Sequence, residues 1–151
     1  MFDFFLKSKK LRVRVAALIE NDKGEVLLIK QTKKSKLYWL LPGGGIEFGE
    51  PAEVALQREL KEELSLECTS LEFLLINESI DPEGDRHIIQ IIFKVKLKNY
   101  TPSIPKSESA VIDFAFVPKS EIINLELRPD IREYFTSKEK PVFIKSIWVK
   151  E

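Results

Sequence analysis

Three consecutive glycines, Gly43-Gly44-Gly45, followed within a few residues by a change from strand-like to helix-like periodicity, restrict this chain more than any other feature. After Pro51, a residue suited to a first helical turn, Leu56, Leu60 and Leu64 recur every four residues as a buried stripe. The glycines are expected to interrupt all regular structure. The helix also carries Arg58, Glu59, Glu62 and Glu63, and steps of three and four put the three carboxylates on one face, away from the leucines. Like charges at these spacings repel by a few tenths of a kcal/mol per pair in water.

Such a face is usually just a solvated one, and an isolated glycine run is usually a loop. Together they suit a hard divalent cation. Mg²⁺ takes oxygen ligands and sits between carboxylates and substrate phosphates, and glycine backbone can approach either the metal or a phosphate. Arg58 is placed to orient Glu50 or Glu59. Oxygen is the only donor available in number: Cys68 is the sole cysteine and His87 the sole histidine. That excludes an internal disulfide, a cysteine-based zinc site and any chemistry needing two histidines.

The remaining elements read mostly as strands. Arg12 to Glu20 and Val26 to Gln31 form a hairpin about the turn Asn21-Asp-Lys-Gly24, Lys33 to Lys36 is a polar loop, and Tyr38 to Leu41 is a short strand. Leu71 to Ser79 and His87 to Lys98 flank the turn Asp81-Pro-Glu-Gly-Asp85, and Asn99 to Ser109 is a loop. Val111 to Val117 is a strand, Lys119 to Leu125 and Pro129 to Phe135 are short helices, and Val142 to Val149 is a last strand. This order predicts an α+β fold, a mixed sheet covered by helices, in a single domain over residues 1–151.

The segment Gly44, five residues, Glu50, seven residues, Arg58-Glu59-Leu60-Lys61-Glu62-Glu63-Leu64-Ser65-Leu66 resembles the Nudix hydrolase signature G-x5-E-x7-R-E-U-x-E-E-x-G-U, where U is aliphatic. Every fixed position matches except Ser65, which stands where the family has glycine. The lead-in Trp39-Leu-Leu-Pro-Gly-Gly44 is also similar. The resemblance implies an α/β/α sandwich with a mixed β-sheet and one main catalytic helix. It further implies cleavage of a diphosphate bond in a nucleoside diphosphate linked to another group, with Mg²⁺ or Mn²⁺ as cofactor. By the same resemblance the metal ligands are Glu59, Glu62, Glu63 and the carbonyl of Gly44. Arg58 and Glu50 form an orienting pair, and Glu62 or Glu63 is the candidate base. The family glycine closes the helix in a left-handed conformation, so serine at position 65 is expected to cost about 1 kcal/mol and no activity.

Other residues are assigned more loosely. Glu108, six residues before the strand residue Phe114, matches the position of a further catalytic glutamate in some members. Gly44, Gly45, Arg86, His87 and Trp39 are substrate-binding candidates, with Tyr38 and Phe48 near enough to stack on a base. Cys68 reads as a small buried hydrophobe. Pro82, sixteen residues beyond Leu66, resembles ADP-ribose-cleaving members, whereas the run Asp85-Arg86-His87-Ile88 resembles members that clean nucleoside triphosphate pools. An ADP-ribose or nucleotide-sugar substrate is slightly preferred, with an 8-oxo-dGTP-cleaning type of activity as the alternative.

A non-catalytic nucleotide sensor is the competing class, disfavoured because every acidic position of the box is kept. An RNA 5′-end pyrophosphohydrolase is the third reading. Lysine and arginine total 24 against 24 acidic residues, so the zero formal charge offers no field for nucleic acid, and the cluster Lys33, Lys34, Lys36 reads as a solvated loop. Met1 to Lys7 is too short an apolar run for a signal peptide, and no later run reaches membrane-spanning length. The expected partner is a small nucleotide in the cytoplasm, away from membranes. A homodimer is left open.

Overall fold

The computed structural model describes residues 9–33, 35–84 and 86–147, leaving residues 1–8, Lys34, Asp85 and residues 148–151 outside the described residues. The strands are β1 (Leu11–Leu18), β2 (Val26–Lys33), β3 (Lys36–Leu40), β4 (Gly43–Gly45), β5 (Cys68–Ile80), β6 (His87–Leu97), β7 (Val111–Val117) and β8 (Phe143–Ile147). Among the described residues three helices join them: α1 (Ala52–Leu64), α2 (Lys119–Ile122) and α3 (Arg132–Thr136). The strands form a five-stranded mixed sheet, β4-β1-β6-β5-β8, and a three-stranded sheet, β3-β2-β7. A second, wholly antiparallel sheet goes beyond the single mixed sheet expected.

Both faces of β1 over Val15 to Leu18 and of β2 over Val26 to Ile29 are buried, which explains the continuous apolar runs there. Val15, Ala17, Ile19, Leu27 and Ile29 pack with Ala55, Leu56, Leu60 and Leu64 of α1 in one core. Ala16, Leu18, Val26 and Leu28 face a second core with Ile122, Leu127, Ile131 and Ile144. Alternation along two strands thus sets α1 on one side and the α2 and α3 region on the other, giving the three layers. Among the described residues no helix is long and apolar enough to cross a membrane.

The glycines do not interrupt regular structure. Gly43, Gly44 and Gly45 pair antiparallel with Ala16, Val15 and Arg14 as the edge strand β4. Glycine is weak in strands by propensity, but a Cβ on Gly43 would lie 2.0 Å from the Val15 carbonyl oxygen and 2.7 Å from the Ala16 Cα. The close approach selects glycine. Boundaries also moved: β2 and β3 run to Lys33 and from Lys36, leaving a shorter loop, while β5 begins at Cys68 and α3 at Arg132.

Ser65 ends α1 with φ 56° and ψ 36°, the left-handed conformation. Its N–H donates to the Lys61 carbonyl at 3.1 Å and that of Leu66 to the Leu60 carbonyl at 3.2 Å, a Schellman closure with both leucines buried. Glycine at this position relieves the Cβ penalty of about 1 kcal/mol. Ser65→Gly is therefore expected to raise the melting temperature by ~2–4 °C. A lower melting temperature in calorimetry would show that the serine makes a compensating contact.

Candidate active site

The helix α1 and the edge strand β4 meet along the carboxylate face. Gly44 lies directly under Glu59: a Cβ there would fall 2.2 Å from the Glu59 carboxyl carbon. Arg58 gathers the neighbouring groups. Its Nε and Nη2 donate to the two oxygens of Glu50 at 2.8 and 2.9 Å, its Nη1 to Glu59 at 2.9 Å and to Glu62 at 3.3 Å, and its Nη2 also to the Gly45 carbonyl at 3.2 Å. A planar guanidinium is the side chain that can fork onto one carboxylate and still reach others. The fork holds Glu50 well below the usual carboxylate range, at about 2. Glu50 and Glu59 in turn hold the Arg58 proton more tightly than usual.

Glu63 is the buried member, 5% exposed. It accepts the Gly43 N–H at 2.9 Å, so strand β4 is bonded to the helix through a carboxylate. Burial pushes its carboxyl up to about 8; the Gly43 N–H opposes this, and Glu59 and Glu108 add to it. Burial raises Glu59 as well, against the pull of Arg58. Glu108 reaches this group from the loop before β7, where its carboxylate accepts the N–H groups of Ala110 and Val111 at 2.8 and 3.2 Å.

The donor set is all oxygen, and its charge is only partly offset, which fits a hard divalent cation. Among the described residues no three acidic, histidine or cysteine groups stand close enough together to hold one ion as placed. As placed, Arg58 occupies oxygens of Glu59 and Glu62, and the Gly43 N–H occupies one of Glu63.

The raised Glu63 has a consequence for stability. Folded protein without metal keeps this proton up to about pH 8, whereas the unfolded chain releases it near 4.5. The folded state binds the extra proton between those values, so stability falls as pH rises through that window. Glu50 works oppositely, supporting the fold above pH 4.5 and losing that support as pH falls towards 2. Chelator-treated protein is expected to melt lower at pH 8.5 than at pH 6, with Mg²⁺ giving its larger upward shift at pH 8.5. Equal melting temperatures at the two pH values would contradict the assignment to Glu63.

Beside the box lies a cleft of about 110 Å³, lined by Arg12, Arg14, Gln31, Tyr38, Leu40, Ser79, Arg86, Ile88, Gln90, Arg128 and Pro129. Arg14 joins the two regions: it pairs with Gly45 in β4, and Glu59 and Glu63 act on its charge. Arg86 lines the cleft. His87 does not, and its Nε2 lies 3.0 Å from Glu78. Trp39 is also outside the lining, because alternation along β3 turns Tyr38 into the cleft and Trp39 towards the second core, with Lys30 5.2 Å from its ring centre. Phe48 is fully exposed in the loop after β4. Cys68 is half-buried against the first core, and burial raises its thiol. Pro82 sits in an exposed turn outside the lining. Sequence reasoning did not single out Arg12, Arg14 or Arg128. The available signal was the alternation Arg12-Val-Arg14, which puts two cations on one face of a strand.

A NUDIX domain model matches residues 10–137, most of the chain. An RNA pyrophosphohydrolase of Ruthia magnifica subsp. Calyptogena magnifica is 44% identical over 69 residues, covering 46% of this chain and 37% of the relative. An ADP-ribose pyrophosphatase of Methanocaldococcus jannaschii is 36% identical over 81 residues, 54% of this chain and 48% of the relative. The chain thus spans less than half the length of either curated relative. Among solved structures, a MutT protein from Methanosarcina mazei Go1 superimposes with a TM-score of 0.72 at 23% identity, covering 85% of this chain and 92% of that one, a likeness of fold.

Proposed function

The chain belongs to the NUDIX domain family, and from that premise we propose that it is a pyrophosphohydrolase that cleaves a diphosphate bond in a nucleoside diphosphate-X substrate. The observation that carries this reading is the Arg58 array, which ties Glu50, Glu59, Glu62 and the Gly45 carbonyl into one cluster, joined to the cleft through Arg14, the strand partner of Gly45. Glu59, Glu62 and Glu63, with the Gly44 carbonyl beside them, would hold a divalent cation, Mg²⁺ or Mn²⁺. When bound, such an ion neutralises diphosphate oxygens and lowers the pKa of an attacking water.

The remaining work falls to the chain itself. The Glu50 fork fixes the Arg58 plane, and Arg58 in turn fixes Glu59 against Gly44. Glu62, largely exposed, is free to turn towards substrate and accept a proton. Glu63, reached electrostatically by Glu108, is the second carboxylate that can do so. The oxygens of substrate phosphates meet Arg14 at the border of box and cleft.

Two classes of X follow. The ADP-ribose or nucleotide-sugar reading drew on Pro82, whose exposed turn lies outside the cleft lining. The nucleoside triphosphate reading draws on Arg86, which lines it. A product-resolved panel with Mg²⁺, containing ADP-ribose, dinucleoside polyphosphates, RNA 5′ ends and normal and oxidised nucleoside triphosphates, tests both. AMP with ribose 5-phosphate supports the first reading, and a monophosphate with pyrophosphate the second. No turnover of any member would leave a nucleotide sensor and refute the enzymatic reading.

A further inference from the structure

The carboxylate box uses Arg58 and borders Arg14, and three further arginines, Arg12, Arg86 and Arg128, line the cleft beyond it. Lysine outnumbers arginine 18 to 6 in this chain, yet the cleft is lined by four of the six arginines and by no lysine, aspartate or glutamate. Three different parts of the fold bring them together. Alternation along β1 puts Arg12 and Arg14 on one face, roughly 7 Å apart along the strand. Their partners on β6 are Ile88 and Gln90, both in the lining. Arg86 enters from the residue before β6. Arg128 comes from a segment held against β3 by two backbone hydrogen bonds, Trp39 N–H to Glu126 and Arg128 N–H to Trp39, each 2.9 Å. Its guanidinium lies 4.8 Å from the Tyr38 ring centre and pairs with Glu126 at 2.9 Å.

Among the described residues, Arg12 and Arg14 make no ion pair. Burial and the charge of Arg12 work against the charge of Arg14, while Glu63 and Glu59 favour it. Glu126 balances Arg128 and the box carboxylates partly balance Arg14, but no acidic side chain lines the cleft itself, so an anion entering it meets guanidiniums from three parts of the fold. The choice of arginine over the commoner lysine matters too, because its planar fork matches the paired oxygens of a phosphate. A guanine base could also engage arginine through its O6 and N7, but one or two guanidiniums suffice for that edge, and Arg128 already stacks on the Tyr38 ring.

We propose that this cleft binds a phosphate group carried by the part of the substrate remote from the cleaved bond, so that preferred substrates end there in a phosphate and not in a neutral sugar. The inference rests on the reading of the carboxylate box as the cleavage site.

The test titrates inorganic pyrophosphate into the full chain in excess EDTA, with binding followed by calorimetry. Without metal the box carboxylates repel the probe, so binding reports the cleft. Arg12 is exposed, and thermal melts of Arg12→Gln and Arg86→Gln check that both variants remain folded. Pyrophosphate is expected to bind, and each variant to weaken it about tenfold, the loss of one charge-assisted hydrogen bond. Arg12→Lys should recover only part of the affinity, because the charge returns without the fork. Absence of binding, affinity unchanged in both variants, or binding of guanosine that pyrophosphate does not displace would each overturn the proposal. The Mg²⁺ hydrolysis panel reports separately on the box. Turnover without pyrophosphate binding in EDTA refutes only the cleft, and binding without turnover refutes only the enzymatic reading.

Discussion

Glu62→Gln is expected to lower kcat by roughly 10²–10³-fold, the scale seen when one preorganised charge-stabilising group is removed, while leaving the fold intact. The two halves of this expectation have separate grounds. The side chain is 56% exposed, and its contact is a single 3.3 Å approach from Arg58 Nη1. Exposed pairs of this kind contribute at most about 1 kcal/mol. The amide keeps the shape and one acceptor oxygen but loses the negative charge, and with it both cation affinity and the capacity to take a proton. KM for the nucleotide should move less than kcat, since the glutamate faces the reacting centre and not the cleft. A variant that keeps full activity at saturating Mg²⁺ would show that the metal is held elsewhere.

The box was legible because its chemistry lies within one contiguous segment whose spacing is itself helix geometry. Glu59, Glu62 and Glu63 can share a face only if residues 52–64 are helical, so motif and element predict each other. Ser65 was legible for a related reason: a helix end needs a left-handed residue, whichever side chain supplies it. The cleft was not legible in the same way. Its lining comes from β1, β2, β3, β5, β6 and the segment around Arg128, and no two neighbouring elements reveal it without the sheet order. The bias of arginine towards a few positions in a lysine-rich chain was visible, but its meaning depends on the parallel pairing of β1 with β6, which sets Arg12 opposite Ile88 and brings Arg86, just before β6, to the same cleft. Trp39 and Tyr38 show the limit of reading aromatics near a motif. They are adjacent in sequence, and strand alternation sends them to opposite faces. The glycine run misled for the opposite reason, since local propensity argues against a strand and tertiary contact requires one.

Those three glycines carry the second large expectation, because an added Cβ meets something different at each. Gly43→Ala should destabilise by about 3 kcal/mol or more. Its Cβ would meet backbone, the Val15 carbonyl oxygen at 2.0 Å and the Ala16 Cα at 2.7 Å, and φ at +157° lies in a region that side chains rarely adopt. Neither strand can yield without breaking the β1–β4 pairing, and the Gly43 N–H bond to buried Glu63 would go with it. At Gly44 the obstacle is the Glu59 carboxyl carbon at 2.2 Å, the end of a side chain that can swing away. Gly44→Ala should therefore fold, with a loss nearer 1 kcal/mol, while displacing the carboxylate that Arg58 holds. A misplacement of about 1 Å at a reacting centre can cost 10²-fold in rate, so activity should fall far more than stability. Gly45 has nothing within 4 Å of a built Cβ, and Gly45→Ala should alter stability by no more than about 0.5 kcal/mol. Thermal melts and kcat measured across the three variants separate these causes. If Gly44→Ala lost stability as Gly43→Ala does, Glu59 would be rigidly held and part of the core. If it kept full activity, Glu59 would tolerate displacement, and the assignment of that carboxylate to the reacting centre would fail.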